Sequence, residues 1–175
     1  VRTAVGSLGK SLKNVSGDSL GSSVITESIN KSQIKNDEID EVIMGQVLTG
    51  GAGQNPARQA AMKSGVPKEK PAYIVNQVCG SGLRSVASGF QSIKAGDSKI
   101  VIAGGQESMS LAPHAIHLRE GKKLGNTEMT DTMIKDGLWD AFHGYHMGVT
   151  AENVATKFQV TRDDQDKFAL NSQEK

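Results

Sequence analysis

The stretch "AYIVNQVCGSGLRSVASGFQSIKAGDSKIVIAGG", Ala72 to Gly105, decides the fold. Its first seven residues, Ala72–Val78, are apolar and β-branched enough for a strand that ends at Cys79. A helical period follows from about Gly82 to Ala95, with Leu83, Val86, Ala87, Phe90 and Ile93 on one face. "KIVIAGG", Lys99–Gly105, is a further strand, apolar nearly throughout, as expected where both faces of a sheet are covered. Strand, helix and strand in this order form a βαβ unit, which needs a parallel sheet.

The same alternation extends toward the start of the chain. Asp18–Lys35 has a helical pattern, with Leu20, Val24, Ile25 and Ile29 on a broad apolar face, and "EVIMGQV", Glu41–Val47, has that of a short strand. Between them and Ala72 lies "LTGGAGQNPARQAAMKSG", in which Asn55 caps a helix and Pro56 takes its first position. "GGAGQ", Gly50–Gln54, lacks the Lys-Ser/Thr ending of a P-loop and the spacing of a dinucleotide fingerprint, so it is taken as a turn feeding that helix. Together these elements predict an α/β layered fold with a largely parallel sheet.

After Gly105 the texture changes. Ser108–Gly148 is irregular, rich in Met, His and Gly, and too long for an ordinary connection, although the apolar spacing of Leu138, Trp139 and Phe142 argues against disorder. Helical pattern returns in "TAENVATKF" and again after Thr161, where Thr161-x-x-Asp164 forms a capping box.

Composition narrows the partners. Twenty Lys+Arg against 19 Asp+Glu give a formal charge of +1, and no basic stripe is present. Neither nucleic acid nor an anionic membrane is therefore an expected partner. No apolar run is long enough to span a bilayer. One cysteine excludes an internal disulfide and fits a reducing compartment, so a cytoplasmic location is expected. The chain opens without Met and closes on a helical pattern that has no stop signal, which suggests a piece of a longer protein.

Two readings of Cys79 stand on local chemistry. It can be a small buried apolar residue, the usual fate of a lone cysteine. It can also be a nucleophile: thiols at helix N-termini meet the positive end of the dipole and unpaired backbone N–H groups, which favour the thiolate. Gly80 and Gly82 strip side chains from the turn, as in the strand–turn–helix elbow of serine hydrolases. The free N–H groups of such a turn would form part of an oxyanion hole. The histidines fall in pairs, His114 with His117 and His143 with His146, without a nearby Cys or carboxylate pattern, and no metal site is expected from them. His146 beside Met147 suits a flexible apolar ligand, while for Met147 alone a place in the core is the better reading. Glu107, directly after a strand, is either functional or part of a structural hydrogen-bond network.

Four strings carry a family resemblance: "GQNPARQAA" (53–61), "NQVCGSGLRSV" (76–86), "IVIAGGQESMSLAPH" (100–114) and "GYHMGVTAENVA" (144–155). Together they resemble the thiolases, and among these the acetoacetyl-CoA type, over essentially the whole chain. The resemblance implies a thiolase-like fold: residues 1–107 as the first α/β half without its opening strand, and 108–175 as most of an inserted loop domain. It implies that Cys79 takes an acyl group from acyl-CoA as a thioester, with its backbone N–H in an oxyanion hole. It further implies that Leu138, His146 and Met147 line the pantetheine and acyl end of the pocket, and that no cofactor is needed, coenzyme A being part of the substrate. The activating histidine and a second cysteine belong to the second half of such enzymes, so residues 1–175 alone are expected to be inactive. Acetyl-CoA and acetoacetyl-CoA are the implied substrates, and a homodimer or homotetramer the implied assembly, with Gly125–Thr132 in the place of the tetramerisation loop. A broader-chain 3-ketoacyl-CoA thiolase and a thiolase-like protein without catalysis remain as alternatives.

Overall fold

Strand β1, Glu41–Gly45, is buried from Val42 onward because it is flanked on both edges and covered on both faces. Its neighbours are β2, Ala72–Val75, and β3, Val101–Gly105, both parallel to it, in the order β2-β1-β3. The register pairs Val42 with Ala72 and Ile102, and Gly45 with Val75 and Gly105. The computed structural model describes residues 1–175.

Since β2 and β3 lie on opposite sides of β1, the two right-handed crossovers that join them must run over opposite faces of the sheet. Helix α2, Pro56–Lys63, makes the first and α3, Ser81–Ala95, the second. Helix α1, Gly17–Ser32, packs with α2. On that face Ile25 and Ile29 of α1 and Ala57, Ala60 and Ala61 of α2 close over Val42 and Met44, with Ile39 and Val66 at the margin. Alanines on α2 let the helix approach β1 closely, so burial of β1 and α1 supplies most of the apolar core.

The other face is built differently. Ser81, Ser85 and Gly89, one residue per turn of α3, are its buried positions. A Cβ on Gly89 would lie 3.0 Å from Val101 Cγ1, and one on Gly105 would lie 3.3 Å from Gly82 Cα. Ser85 Oγ, 2.7 Å from both Gly104 O and Gly82 O, donates its one proton to either carbonyl. The apolar face seen in the sequence is not the one that meets the sheet: Leu83 is 77% exposed and Phe90 64%, and Val86 and Ile93 are exposed as well. Small residues win the sheet-facing positions because the two backbones come too close for anything larger.

Most ends of elements fall within a few residues of expectation, and each difference has a local cause. Helix α1 stops at Ser32 because Gln33 turns left-handed (φ 57°) and caps it. The strand expected over Ala72–Val78 ends at Val75, where the chain enters a tight turn. Strand β3 begins at Val101 because the Asp40 carboxylate takes the N–H groups of Lys99 and Ile100 at 2.7 and 3.0 Å. Asn55 caps α2 by accepting from Arg58 N at 3.1 Å, with Pro56 in the first position, as expected.

Beyond β3, a two-residue ribbon pairs β4, His114–Ala115, with β5, Thr130–Asp131. By contacts the chain forms two compact units, Val1–Gly137 and Leu138–Lys175. The second contains α4, Met147–Phe158, and α5, Arg162–Glu174. Gln159 in the left-handed region ends α4, and the Thr161–Asp164 capping box starts α5 with both reciprocal bonds present. No helix is long and apolar enough to cross a membrane.

Candidate active site

The turn between β2 and α3 is made by the chain's own polar groups. Asn76 Oδ1 accepts from Val78 N at 2.9 Å, which draws the chain out of the strand. Gly80 N and Ser81 N then donate to Gln77 O and Val78 O at 3.0 and 3.1 Å. The hydroxyl of Ser81 donates to Val78 O at 2.6 Å and accepts from Gln77 N at 2.9 Å. Val78 sits at φ 47°, in the left-handed region. Cys79 follows it, its thiol free and exposed, two residues ahead of the first residue of α3. Within residues 1–175 the thiol is thus exposed just ahead of a helix start.

Beneath the turn lies Gly45, the last residue of β1. A Cβ there would stand 2.3 Å from the carbonyl carbon of Ser81 and 2.5 Å from Gly82 N. Only glycine permits this approach, and with Gly82 and Gly105 it brings the backbones of β1, α3 and β3 into direct contact.

Glu107 belongs to the structural network. Its carboxylate accepts from Val47 N at 2.8 Å and Leu48 N at 3.3 Å, replacing the ladder partners that β1 loses past Gly45. Burial pushes its carboxyl above the ordinary range, and the N–H groups of Val47, Leu48 and Ser108 offset only part of that.

In the second unit, Trp139 and His146 pair as an antiparallel bridge, which brings Leu138 close to His146 and Met147. Asp140 N donates to Tyr145 O at 2.8 Å, and the Asp140 carboxylate accepts from Phe142 N and His143 N at 2.7 and 3.0 Å. These bonds hold the Asp140 carboxyl below its ordinary range, helped by His143 Nδ1 at 3.0 Å. His143 stacks on Tyr145, with ring centroids 5.6 Å apart. His146 is the N-cap of α4, its Nδ1 accepting from Gly148 N at 3.0 Å. In the neutral ring that bond places the proton on Nε2. Met147 and Leu138 are half-buried beside it. Cys79 belongs to the first unit and this hairpin to the second.

His114 pairs with Asp131 across the ribbon at 3.9 Å, and no group of three or more His, Cys, Asp or Glu side chains converges to hold a metal ion. Sequence reasoning passed over Ser81, Val78 and Asp140. Serine two residues past the cysteine was a visible signal for the first, and Asp140 followed by Phe142-His143 was one for an Asx turn.

The profile of the family described as "Thiolase, N-terminal domain" matches residues 1–175. The chain belongs to the thiolase family. Among its curated relatives, proteins named acetyl-CoA acetyltransferase from Rhizobium meliloti and Shinella zoogloeoides are 59% and 58% identical over 174 residues, covering 99% of this chain and 44% of theirs. Another, from Rattus norvegicus, is named acetyl-CoA acetyltransferase, cytosolic; it is 52% identical over 172 residues, covering 98% of this chain and 43% of its own. The thiolase chain thus spans a little under half the length of these relatives.

Proposed function

We propose that the protein to which this domain belongs is an acetyl-CoA C-acetyltransferase working through an acetyl-Cys79 intermediate. The observation that carries this is the exposed thiol on a glycine-lined turn at the start of α3, in a chain matched end to end by the thiolase N-terminal domain. The names of the relatives support the acetyl group as the one transferred.

In the first step Cys79 Sγ attacks the acetyl carbonyl of acetyl-CoA. The bond from carbonyl carbon to CoA sulfur breaks, and CoA leaves with the proton given up by the thiol. The backbone N–H of Cys79 donates to the oxygen as it gains charge, the interaction that lowers such barriers most. In the second step another acetyl-CoA loses a methyl proton to a base outside this domain. Its carbon attacks the acetyl-cysteine, acetoacetyl-CoA forms, and Cys79 recovers its proton. Passing through a thioester divides a difficult carbon–carbon bond formation into two easier exchanges; cleavage of acetoacetyl-CoA by CoA is the same path reversed.

Leu138, His146 and Met147 line the pantetheine and acyl end of the pocket in this reading, His146 offering Nε2–H. Residues 108–175 are the inserted loop domain, Gly125–Thr132 the tetramerisation segment of a homotetramer, and no cofactor besides the substrate's own coenzyme A takes part. A cytoplasmic location, in keeping with the cytosolic name of the rat relative, goes with it. Mass spectrometry of the intact protein after exposure to acetyl-CoA is the test. Acetyl on Cys79, lost together with turnover in Cys79→Ala, is the expected result; full turnover in that variant would overturn the reading.

A further inference from the structure

A valine at φ 47° is an expensive conformation. Left-handed backbone costs a non-glycine residue about 1–3 kcal/mol, and a branched Cβ adds crowding. Four non-glycine residues take positive φ here, and three of them, Gln33, Asn55 and Gln159, are helix caps, where the conformation turns the chain at a helix end. Val78 caps nothing and alone is β-branched, yet it stands directly before Cys79. Strain of this kind persists only where neighbours over-determine it.

We propose that Ser81 is a positioning residue for the acyl transfer: its buried hydroxyl holds Val78 in the left-handed conformation and thereby sets the direction of the Cys79 N–H. The proposal rests on Cys79 being the acyl acceptor.

One peptide plane joins Val78 to Cys79. Val78 C=O and Cys79 N–H belong to the same trans peptide, so they point in opposite directions. Ser81 Oγ (2.6 Å) and Ser81 N (3.1 Å) both donate to Val78 O and pin it inward toward the start of α3. The Cys79 N–H is thereby turned the opposite way, away from the start of α3. The same hydroxyl accepts from Gln77 N at 2.9 Å, tying the peptide ahead of the strained residue to the peptide behind it. Ser81 is 4% exposed, so no water takes over these bonds when the hydroxyl is removed. From below, Gly45 blocks the turn from sinking toward the sheet. Without the hydroxyl, the cheapest response is for Val78 to relax out of the left-handed region, which rotates the 78–79 peptide and the N–H with it.

The test uses the intact enzyme with Ser81→Ala, Val78→Gly and the double variant. Two rates are measured: single-turnover acetylation of Cys79 by acetyl-CoA, followed by rapid quench and mass spectrometry, and alkylation of Cys79 by iodoacetamide. Acetylation builds charge on an oxygen that needs the N–H, whereas alkylation at carbon does not. Ser81→Ala should slow acetylation about 10–100-fold while changing alkylation much less. Val78→Gly in that background should recover most of the loss, since glycine takes positive φ without strain. Acetylation at the wild-type rate in Ser81→Ala would overturn the proposal, as would equal slowing of both reactions. If Ser81→Ala yields no folded enzyme, the double variant decides alone: folded and acetylated, it supports the proposal; folded but as slow as a general loss of the turn requires, or unfolded, it overturns it. Absence of acetylation in the wild type would instead sink the acyl-acceptor reading, and so is distinguishable.

Discussion

Adding one methyl group at Gly45 tests the contact on which the reactive turn rests. In Gly45→Ala the new Cβ would lie 2.3 Å from the Ser81 carbonyl carbon, against an ordinary contact of 3.4 Å or more. Strand and turn must then part by about 1.1 Å, and the atoms that the Cβ meets are all backbone, so no side chain can swing aside. Overpacking in a core usually costs about 1–3 kcal/mol, and a backbone clash belongs at the upper end. A displacement near 1 Å at a reacting group lowers rate about 100-fold. Gly89→Ala is the control. Its Cβ would meet Val101 Cγ1 at 3.0 Å, a methyl that can give way, and alanine repays about 1 kcal/mol of helix propensity. Urea unfolding and acetylation of Cys79 should separate the two: Gly45→Ala loses both stability and rate, whereas Gly89→Ala changes stability by less than about 1 kcal/mol and leaves the rate unchanged. A Gly45→Ala enzyme with the urea midpoint and acetylation rate of the wild type would refute the reasoning.

Four further outcomes follow from the first unit. Asp18 is buried and ion-paired with Lys63; burial alone would raise its carboxyl, but Lys63 and Ser16 outweigh it and hold it below the ordinary range. A depressed carboxyl contributes stability above its unfolded value and loses it as pH falls through the folded one, so Lys63→Met should cost about 1–2 kcal/mol at pH 7, with the gap closing in acid, measured by urea titration at several pH values. Glu107 has the opposite sign: its carboxyl is raised, so its ionisation weakens the fold as pH climbs from 4.5 through the folded value, and a Glu107→Gln protein should show a flatter stability profile across that window. Glu107→Ala leaves the Val47 and Leu48 N–H groups without acceptors and should cost about 1–3 kcal/mol by the same measurement. Leu83→Ser and Phe90→Ser, on the exposed face of α3, should change the stability of residues 1–175 by less than about 0.5 kcal/mol and reduce their binding of an apolar dye.

Much of the framework was legible because period and caps agree. The βαβ order of Ala72–Gly105, the Asn55-Pro56 start of α2 and the Thr161–Asp164 capping box all appear where side-chain chemistry calls for them. Which face of α3 meets the sheet was not legible from hydrophobicity, because the deciding quantity was distance: Gly45, Gly82 and Gly105 bring the backbones so near that Ser85 and Gly89 fit and Leu83 does not. The end of β2 was missed for a similar reason, since it is decided by the Asn76 side chain and the reversal at Val78 rather than by β propensity. At the site, Cys79 stood out as the single thiol. Ser81 was passed over although its place two residues past the cysteine was visible, because a hydroxyl that bonds only to neighbouring peptides leaves no mark on periodicity or charge.

The glycine contact beneath Cys79 has a mechanical consequence. Between most helices and sheets a layer of side chains acts as a compliant spacer, and rotamer shifts absorb part of any movement. Here β1, α3 and β3 touch backbone to backbone, with no spacer to deform. The start of α3, two residues past the thiol, therefore inherits the stiffness of the sheet beneath it.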